Sequence, residues 1–310
     1  MNPKLTFTGI IPPLVTPLLP DFTLDSFSLE KILNHVIDAG VHGVFILGTT
    51  GESPSLPQKI KIHMIRETGR IVSKRVPVLV GITDCSMGNS LELAEMAKNY
   101  GADALVAAPP FYMNISQEDL EKYYRDLANR TELPLILYNI PSHAKTPLEI
   151  DTVERLSSHP NILGIKDSTD SKEYLSQLGE TFRPYTDFIL LMGPEERLLD
   201  ALQQGFSGGV SGGANVFPEL YVKCYDSFIQ GKEEEAQECQ NLIWEVSQEL
   251  YHHVSHPSSY LKGLKECMKL SHLSGGILSP PQRSFTEEER QTFQKKFEKI
   301  KSKIHKFLEE

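Results

Sequence analysis

Val44-Phe45-Ile46-Leu47-Gly48-Thr49-Thr50-Gly51-Glu52-Ser53 runs from four apolar residues through a small, polar turn toward a stretch of helical period. A continuous apolar run, rather than an alternating one, suits a parallel strand covered on both faces. The same unit recurs along the chain. Further short apolar runs lie at Gly9 to Val15, Val78 to Val80, Ala104 to Ala108, Leu135 to Tyr138, Ile162 to Ile165, Phe188 to Met192 and Gly208 to Ser211, each followed by a turn and an amphipathic segment.

The helices between them are signposted. Asp25 is a candidate N-cap for a helix whose Leu29, Ile32, Leu33, Val36 and Ile37 share one face, with Gly40 as the stop. Ser55 and Gln58 have capping-box spacing with Pro57 in the first turn, and Ser116 opens a helix with Leu120, Tyr123, Tyr124 and Leu127 on one side. Eight strand–helix units in about 220 residues predict an α/β fold, a closed (β/α)8 TIM barrel over residues 1–230, better than a doubly wound sheet. A C-terminal helical extension over residues 231–310 follows, with helices at Lys232 to His253, Ser258 to Met268 and Thr286 to Phe307. It is expected to pack on the barrel's outside or on a partner subunit.

Composition narrows the function. The 310 residues include 31 Lys and Arg against 41 Asp and Glu, a net charge of −10, which argues against a broad nucleic-acid or anionic-membrane surface. The four cysteines lie far apart without a CxxC pair, so neither a disulfide framework nor a zinc knuckle is indicated, and a cytoplasmic location is expected. The first twenty residues are broken by five prolines and lack a basic leader, which fits neither a signal peptide nor a membrane span. His252, His253 and His256 cluster without an accompanying carboxylate or cysteine at ligand spacing, so no metal is expected.

In such a barrel the site lies where the strands end. Lys166 closes the run Ile162 to Ile165, and an ammonium group there would be poorly solvated, with its pKa drawn toward neutrality. A neutral lysine amine attacks carbonyl carbon and forms an imine, an electron sink for carbon–carbon bond cleavage or formation. The plainer reading is a lysine that reaches solvent or pairs with Asp167. The turn Gly48-Thr49-Thr50-Gly51 offers hydroxyls and backbone N–H groups suited to a carboxylate, and Tyr138 can relay a proton. An ordinary strand–helix turn and a packing tyrosine are the alternatives.

GTTGES at 48–53, PPFY at 109–112, YNIP at 138–141 and GIKDS at 164–168, in this order, resemble the dihydrodipicolinate synthase / N-acetylneuraminate lyase family of Schiff-base-forming class I aldolases and lyases. The resemblance implies that Lys166 condenses with the carbonyl of pyruvate or another 2-oxo acid and that Tyr138 is the general acid/base. Thr49 and Thr50, with Gly48, would hold the carboxylate, and Thr49 would link Tyr138 to Tyr112 in a relay. In this family the tyrosine matched by Tyr112 reaches across from a neighbouring subunit, so a homo-oligomer, tetramer or dimer, is implied. The backbone carbonyl at Val210 would orient the keto acid. Beyond the covalent imine no cofactor is expected.

The synthases of the family carry an arginine two residues after the YNxP proline, where this chain has Ser142-His143-Ala144. His143 cannot form arginine's bidentate fork with a carboxylate. Gly193-Pro194-Glu195-Glu196 resembles instead the acidic turn by which N-acetylneuraminate lyases hold sugar hydroxyls, with Ser168 and Gly213 fitting the same role; favourable charge in a helix's first turn is the equal alternative for Glu195 and Glu196. The expected activity is a lyase acting on a sugar acid or hydroxy-oxo acid, of N-acetylneuraminate, 2-keto-3-deoxygluconate or 4-hydroxy-2-oxoglutarate type. Dihydrodipicolinate synthase activity and a non-catalytic keto-acid-binding protein are the rivals.

Overall fold

The computed structural model describes residues 7–309; Met1 to Thr6, the first part of the proline-broken segment, lie outside the described residues. Eight strands form one parallel sheet: β1 (Gly9–Ile10), β2 (Val44–Ile46), β3 (Val78–Gly81), β4 (Ala104–Ala107), β5 (Leu135–Asn139), β6 (Ile162–Asp167), β7 (Ile189–Met192) and β8 (Gly208–Gly209). They pair in the order β1-β8-β7-β6-β5-β4-β3-β2, and a parallel bridge from Pro13 to Phe45 brings the first strand back to the second. The result is the TIM barrel that the repeating unit predicts.

The helices follow in turn: α1 (Ser26–Asp38), α2 (Gln58–Val72), α3 (Met87–Asn99), α4 (Gln117–Arg130), α5 (Pro141–Ala144), α6 (Ile150–Ser157), α7 (Lys172–Phe182), α8 (Leu198–Gln203) and α9 (Pro218–Ile229) around the barrel, then α10 (Glu233–Val246), α11 (Ser259–Leu270) and α12 (Glu287–Glu309). Asp25 caps α1 by accepting from the Ser28 N–H at 3.0 Å, and Ser116 caps α4 by accepting from the Asp119 N–H at 3.1 Å. Leu120, Tyr124 and Leu127 form the buried face of α4.

Four local expectations change. The Ser55–Gln58 capping box does not form: Leu56, held extended before Pro57, ends a short 3₁₀ turn, and α2 starts only at Gln58. The Gln58 amide donates instead to Glu92 at 3.0 Å. The first strand stops at Ile10 because Pro12 and Pro13 lack the N–H groups that a ladder needs. The eighth strand is also cut short, at Gly209. β6 runs on to Asp167, so Lys166 lies inside the strand rather than past its end.

Strand register places the two residues of greatest chemical interest. β5 pairs Leu135 with Ile162 but Ile136 with Gly164, a shift of one residue that leaves Leu163 unpaired. Beyond this bulge Tyr138 stands directly opposite Lys166, and Asn139 opposite Asp167. Without the extra residue Tyr138 would face Ile165, and every later side chain of β6 would sit on the wrong face. With it, Tyr138 joins Phe45, Ile136, Leu191 and Val210 inside the barrel. Asn139 and Asp167 point to the helical layer, where the Asn139 amide donates to Asp167 at 3.0 Å.

The last three helices do more than cover the outside. α10 packs along α9, while α11 reaches the 3₁₀ turn Gly212–Asn215 after β8, so that part of the extension stands over the barrel's mouth. Among the described residues no helix is long and apolar enough to cross a membrane. Cys224, Cys239 and Cys267 are buried free thiols and Cys85 is an exposed one.

Candidate active site

A cavity of about 620 Å3 opens at the C-terminal ends of the strands, walled by residues from both the barrel and the extension. Such a volume falls in the range of small-molecule sites. Lys166 stands in it, only 5% exposed, with Nζ donating to Ser168 Oγ at 2.8 Å and lying 3.8 Å from the centroid of the Tyr138 ring. The plainer alternative, a pair with Asp167, does not form, because the Asp167 carboxylate accepts from Asn139 and Thr169 on the other face of the strand. Burial raises the Asp167 carboxyl to about 6 against those hydrogen bonds.

Tyr138 Oη and Thr49 Oγ1 are 3.2 Å apart, and Thr50, 6% exposed, also lines the cavity. One residue implied for the relay is missing from this group. Tyr112 is 74% exposed, and its carbonyl accepts from Lys145 at 3.0 Å; within one chain the relay runs from Tyr138 to Thr49 and stops. A second, apolar cavity of about 190 Å3 borders Thr49 and Tyr138, lined by Phe45, Gly48, Pro109 and Phe111 among others.

The acidic turn divides its roles. Glu195 lines the cavity and is 5% exposed, and its carboxyl oxygens accept from the Gly213 N–H and the Tyr221 hydroxyl, each at 2.7 Å. It thus clamps β7 to the turn after β8 while bordering the cavity, and the Gly213 N–H is spent on the same clamp. Glu196 lines the cavity and accepts from Ser247, leaving acceptor capacity for a ligand. Gly193 must lack a side chain, since a Cβ there would meet Ser168 Oγ at 1.9 Å. The Val210 N–H donates to the Met192 carbonyl at 2.7 Å, and Val210 lines the cavity.

Burial first, and then the Glu196 charge, raise the Glu195 carboxyl from 4.5 to about 8. The folded chain thus keeps a proton there that the unfolded chain loses near pH 4.5. Stability from this group is full below that value and declines as pH rises toward 8. Urea unfolding of the parent chain and Glu195→Gln, compared from pH 5 to 8, is expected to show the parent losing stability more steeply, by at most about 1.4 kcal/mol per pH unit. Parallel slopes would mean that Glu195 is ionised in the folded protein.

His143, on α5, lies at the rim of both cavities, where desolvation and then the Lys166 charge lower its pKa. That shift favours the neutral ring, which lacks the charge of the synthases' arginine. A cation does reach the mouth from elsewhere: Arg197 lines the cavity and pairs with Asp170 at 2.6 Å and Asp200 at 3.6 Å. Its place just after Glu195-Glu196 was a readable signal. Tyr251, Tyr260, Trp244 and Gln248 from the extension also line the mouth, and no spacing in the sequence announces them. The three tail histidines are spent separately: His252 against Ser247 and His256 against Ser258, and His253 packed on Phe285 and Phe293.

The profile of the dihydrodipicolinate synthetase family matches residues 6–300. A probable 2-dehydro-3-deoxy-D-pentonate aldolase of Escherichia coli is 36% identical over 227 residues, 73% of this chain and 75% of that protein. An uncharacterised DapA-like lyase of Thermococcus kodakarensis is 34% identical over 280 residues, 88% of this chain and 92% of the other. Among solved structures, dihydrodipicolinate synthase from Bacteroides thetaiotaomicron superposes with a TM-score of 0.91 at 41% identity, covering 94% of this chain and 98% of its own. An Escherichia coli prophage protein of the same family, solved in complex with pyruvate, gives 0.90 at 28% identity, covering 96% and 99%.

Proposed function

This chain belongs to the dihydrodipicolinate synthetase family and is a lyase of the class I aldolase type, and from that premise we propose that it cleaves a 2-oxo-3-deoxy sugar acid to pyruvate and an aldehyde through an imine on Lys166. The observation that supports this reading is the pairing of Lys166 with Tyr138 across β5 and β6 at the base of a cavity far larger than pyruvate alone requires. The relative named as a pentonate aldolase supports the sugar-acid class.

Lys166, as the free amine, attacks C2 of the 2-oxo acid. Water leaves the carbinolamine to give the protonated imine. Tyr138, oriented by Thr49, gives its phenol hydrogen to the departing water and, as the phenolate, then takes the proton from the C4 hydroxyl, and the C3–C4 bond breaks with its electron pair flowing into the imine. The aldehyde departs, C3 of the enamine is protonated, and hydrolysis returns pyruvate and the lysine. Thr49 and Thr50 hold the carboxylate, Val210 offers its carbonyl, and Ser168, Glu196 and Arg197 face the hydroxylated end. The route requires no metal or organic cofactor. Tyr112 of a second copy fills the apolar cavity beside Thr49 and completes the relay, which makes the active form a dimer or tetramer; its setting is cytoplasmic.

Identity of 41% to a dihydrodipicolinate synthase and the presence of Arg197 at the mouth favour one second reading, condensation of pyruvate with aspartate semialdehyde. A panel separates the two. Pyruvate release from five- and six-carbon 2-oxo-3-deoxy sugar acids, without turnover of aspartate semialdehyde, is the expected result; the reverse pattern would reassign the chain as a synthase.

A further inference from the structure

α11 meets the Gly48-Thr49-Thr50-Gly51-Glu52 turn at two points. Lys265 forms a buried ion pair with Glu52, and one and a half turns earlier the Tyr260 hydroxyl lies 3.2 Å from Thr50 Oγ1. The Tyr260 ring is held edge-on against Tyr251, with centroids 5.6 Å apart and planes at 76°. Its oxygen occupies space that any side chain at position 212 would claim: a Cβ on Gly212 would come within 1.6 Å of it. The extension therefore delivers one hydroxyl, in a fixed place, to the threonine read above as a carboxylate holder.

We propose that Tyr260 is a positioning residue for the carboxylate of the 2-oxo acid, donating its hydroxyl hydrogen to Thr50 Oγ1 so that the hydrogen of Thr50 is left for the substrate. A threonine hydroxyl has one hydrogen and two lone pairs, and a carboxylate only accepts. Thr50 can donate to the anion only if it is an acceptor toward Tyr260. Burial holds the Tyr260 phenol well above its usual range, so it keeps the hydrogen this arrangement needs. A hydroxyl that accepts one bond also donates more strongly in the next. The inference rests on the aldolase reading and adds a residue from outside the eight strand–helix units.

Tyr260→Phe removes the hydroxyl and keeps the ring against Tyr251. The pyruvate concentration that half-saturates borohydride trapping on Lys166 is expected to rise about three- to tenfold, the range for one lost hydrogen bond, while kcat for aldol cleavage stays within about twofold of the parent. In a Thr50→Val background, Tyr260→Phe is expected to add nothing further, because its effect passes through the Thr50 hydroxyl. A merely structural tyrosine would add its loss equally in both backgrounds. An unchanged half-saturation, a fall in kcat alone, or additive losses would each overturn the proposal. Failure of the unsubstituted chain to form any adduct overturns the aldolase reading along with it; an adduct indifferent to Tyr260 overturns this inference alone.

Discussion

Lys166→Ala is expected to lower kcat for aldol cleavage by about 10^4-fold or more, the scale seen when a covalent nucleophile is removed, and to abolish the borohydride-reducible adduct with pyruvate. Lys166→Arg should fail equally. Arginine keeps the positive charge but stays protonated and cannot form an imine, so it separates a nucleophile from a fixed charge that merely attracts the carboxylate. Neither variant should unfold the protein. Lys166 Nζ donates to a neutral hydroxyl and lies over an aromatic ring, so removing it breaks no ion pair and strands no buried charge. The unfolding midpoint of Lys166→Ala is accordingly expected to be no lower than the parent's. Activity within tenfold of the parent in either variant would remove the imine mechanism and leave Lys166 as a binding group.

The barrel was legible because it depends on a local signal repeated eight times: apolar runs that a parallel sheet covered on both faces can bury, separated by helices with readable caps at Asp25 and Ser116. Lys166, Tyr138 and the Thr49-Thr50 turn were legible because they sit where those runs end. Two kinds of information were hidden. The first is register: the sequence separates Tyr138 from Lys166 by 28 positions, but nothing in it marks Leu163 as the unpaired residue that turns Lys166 inward. The second is burial of charge. Glu195 and Glu196 are adjacent and alike in sequence and both border the cavity, yet the oxygens of one are taken by Gly213 and Tyr221 while the other accepts from Ser247, a split decided by segments that follow later in the chain. The extension's contribution was hidden for the same reason. Helical periodicity shows that α11 has a buried face but not that the face is a wall of the site.

That wall depends on one ion pair, and Lys265→Met is expected to destabilise the protein by about 3–5 kcal/mol. Lys265 and Glu52 each expose only 2% of their side chains. The ammonium of Lys265 also donates to the carbonyls of Thr16 at 2.9 Å and Ile277 at 2.7 Å, and Glu52 Oε1 accepts from the Ser279 N–H at 2.7 Å. One cluster thus joins the turn after β2, the segment after β1, α11 and the loop before α12. Desolvation pushes the lysine's pKa down, and the Glu52 charge offsets part of that cost. Truncating the lysine strands Glu52 as a buried charge in a left-handed turn, at φ 56°. The double variant Lys265→Met with Glu52→Gln keeps the acceptor for Ser279 and removes the charge, so it should be less destabilised than Lys265→Met alone. Urea unfolding measures both. A double variant at least as unstable as the single would show that packing of the lysine stem, and not the stranded carboxylate, accounts for the loss. Because Tyr260 lies on the same helix, the single variant should also weaken 2-oxo-acid binding in the fraction that stays folded. Lys166 is anchored in β6 and needs no such support; the threonine turn does, and the extension supplies it.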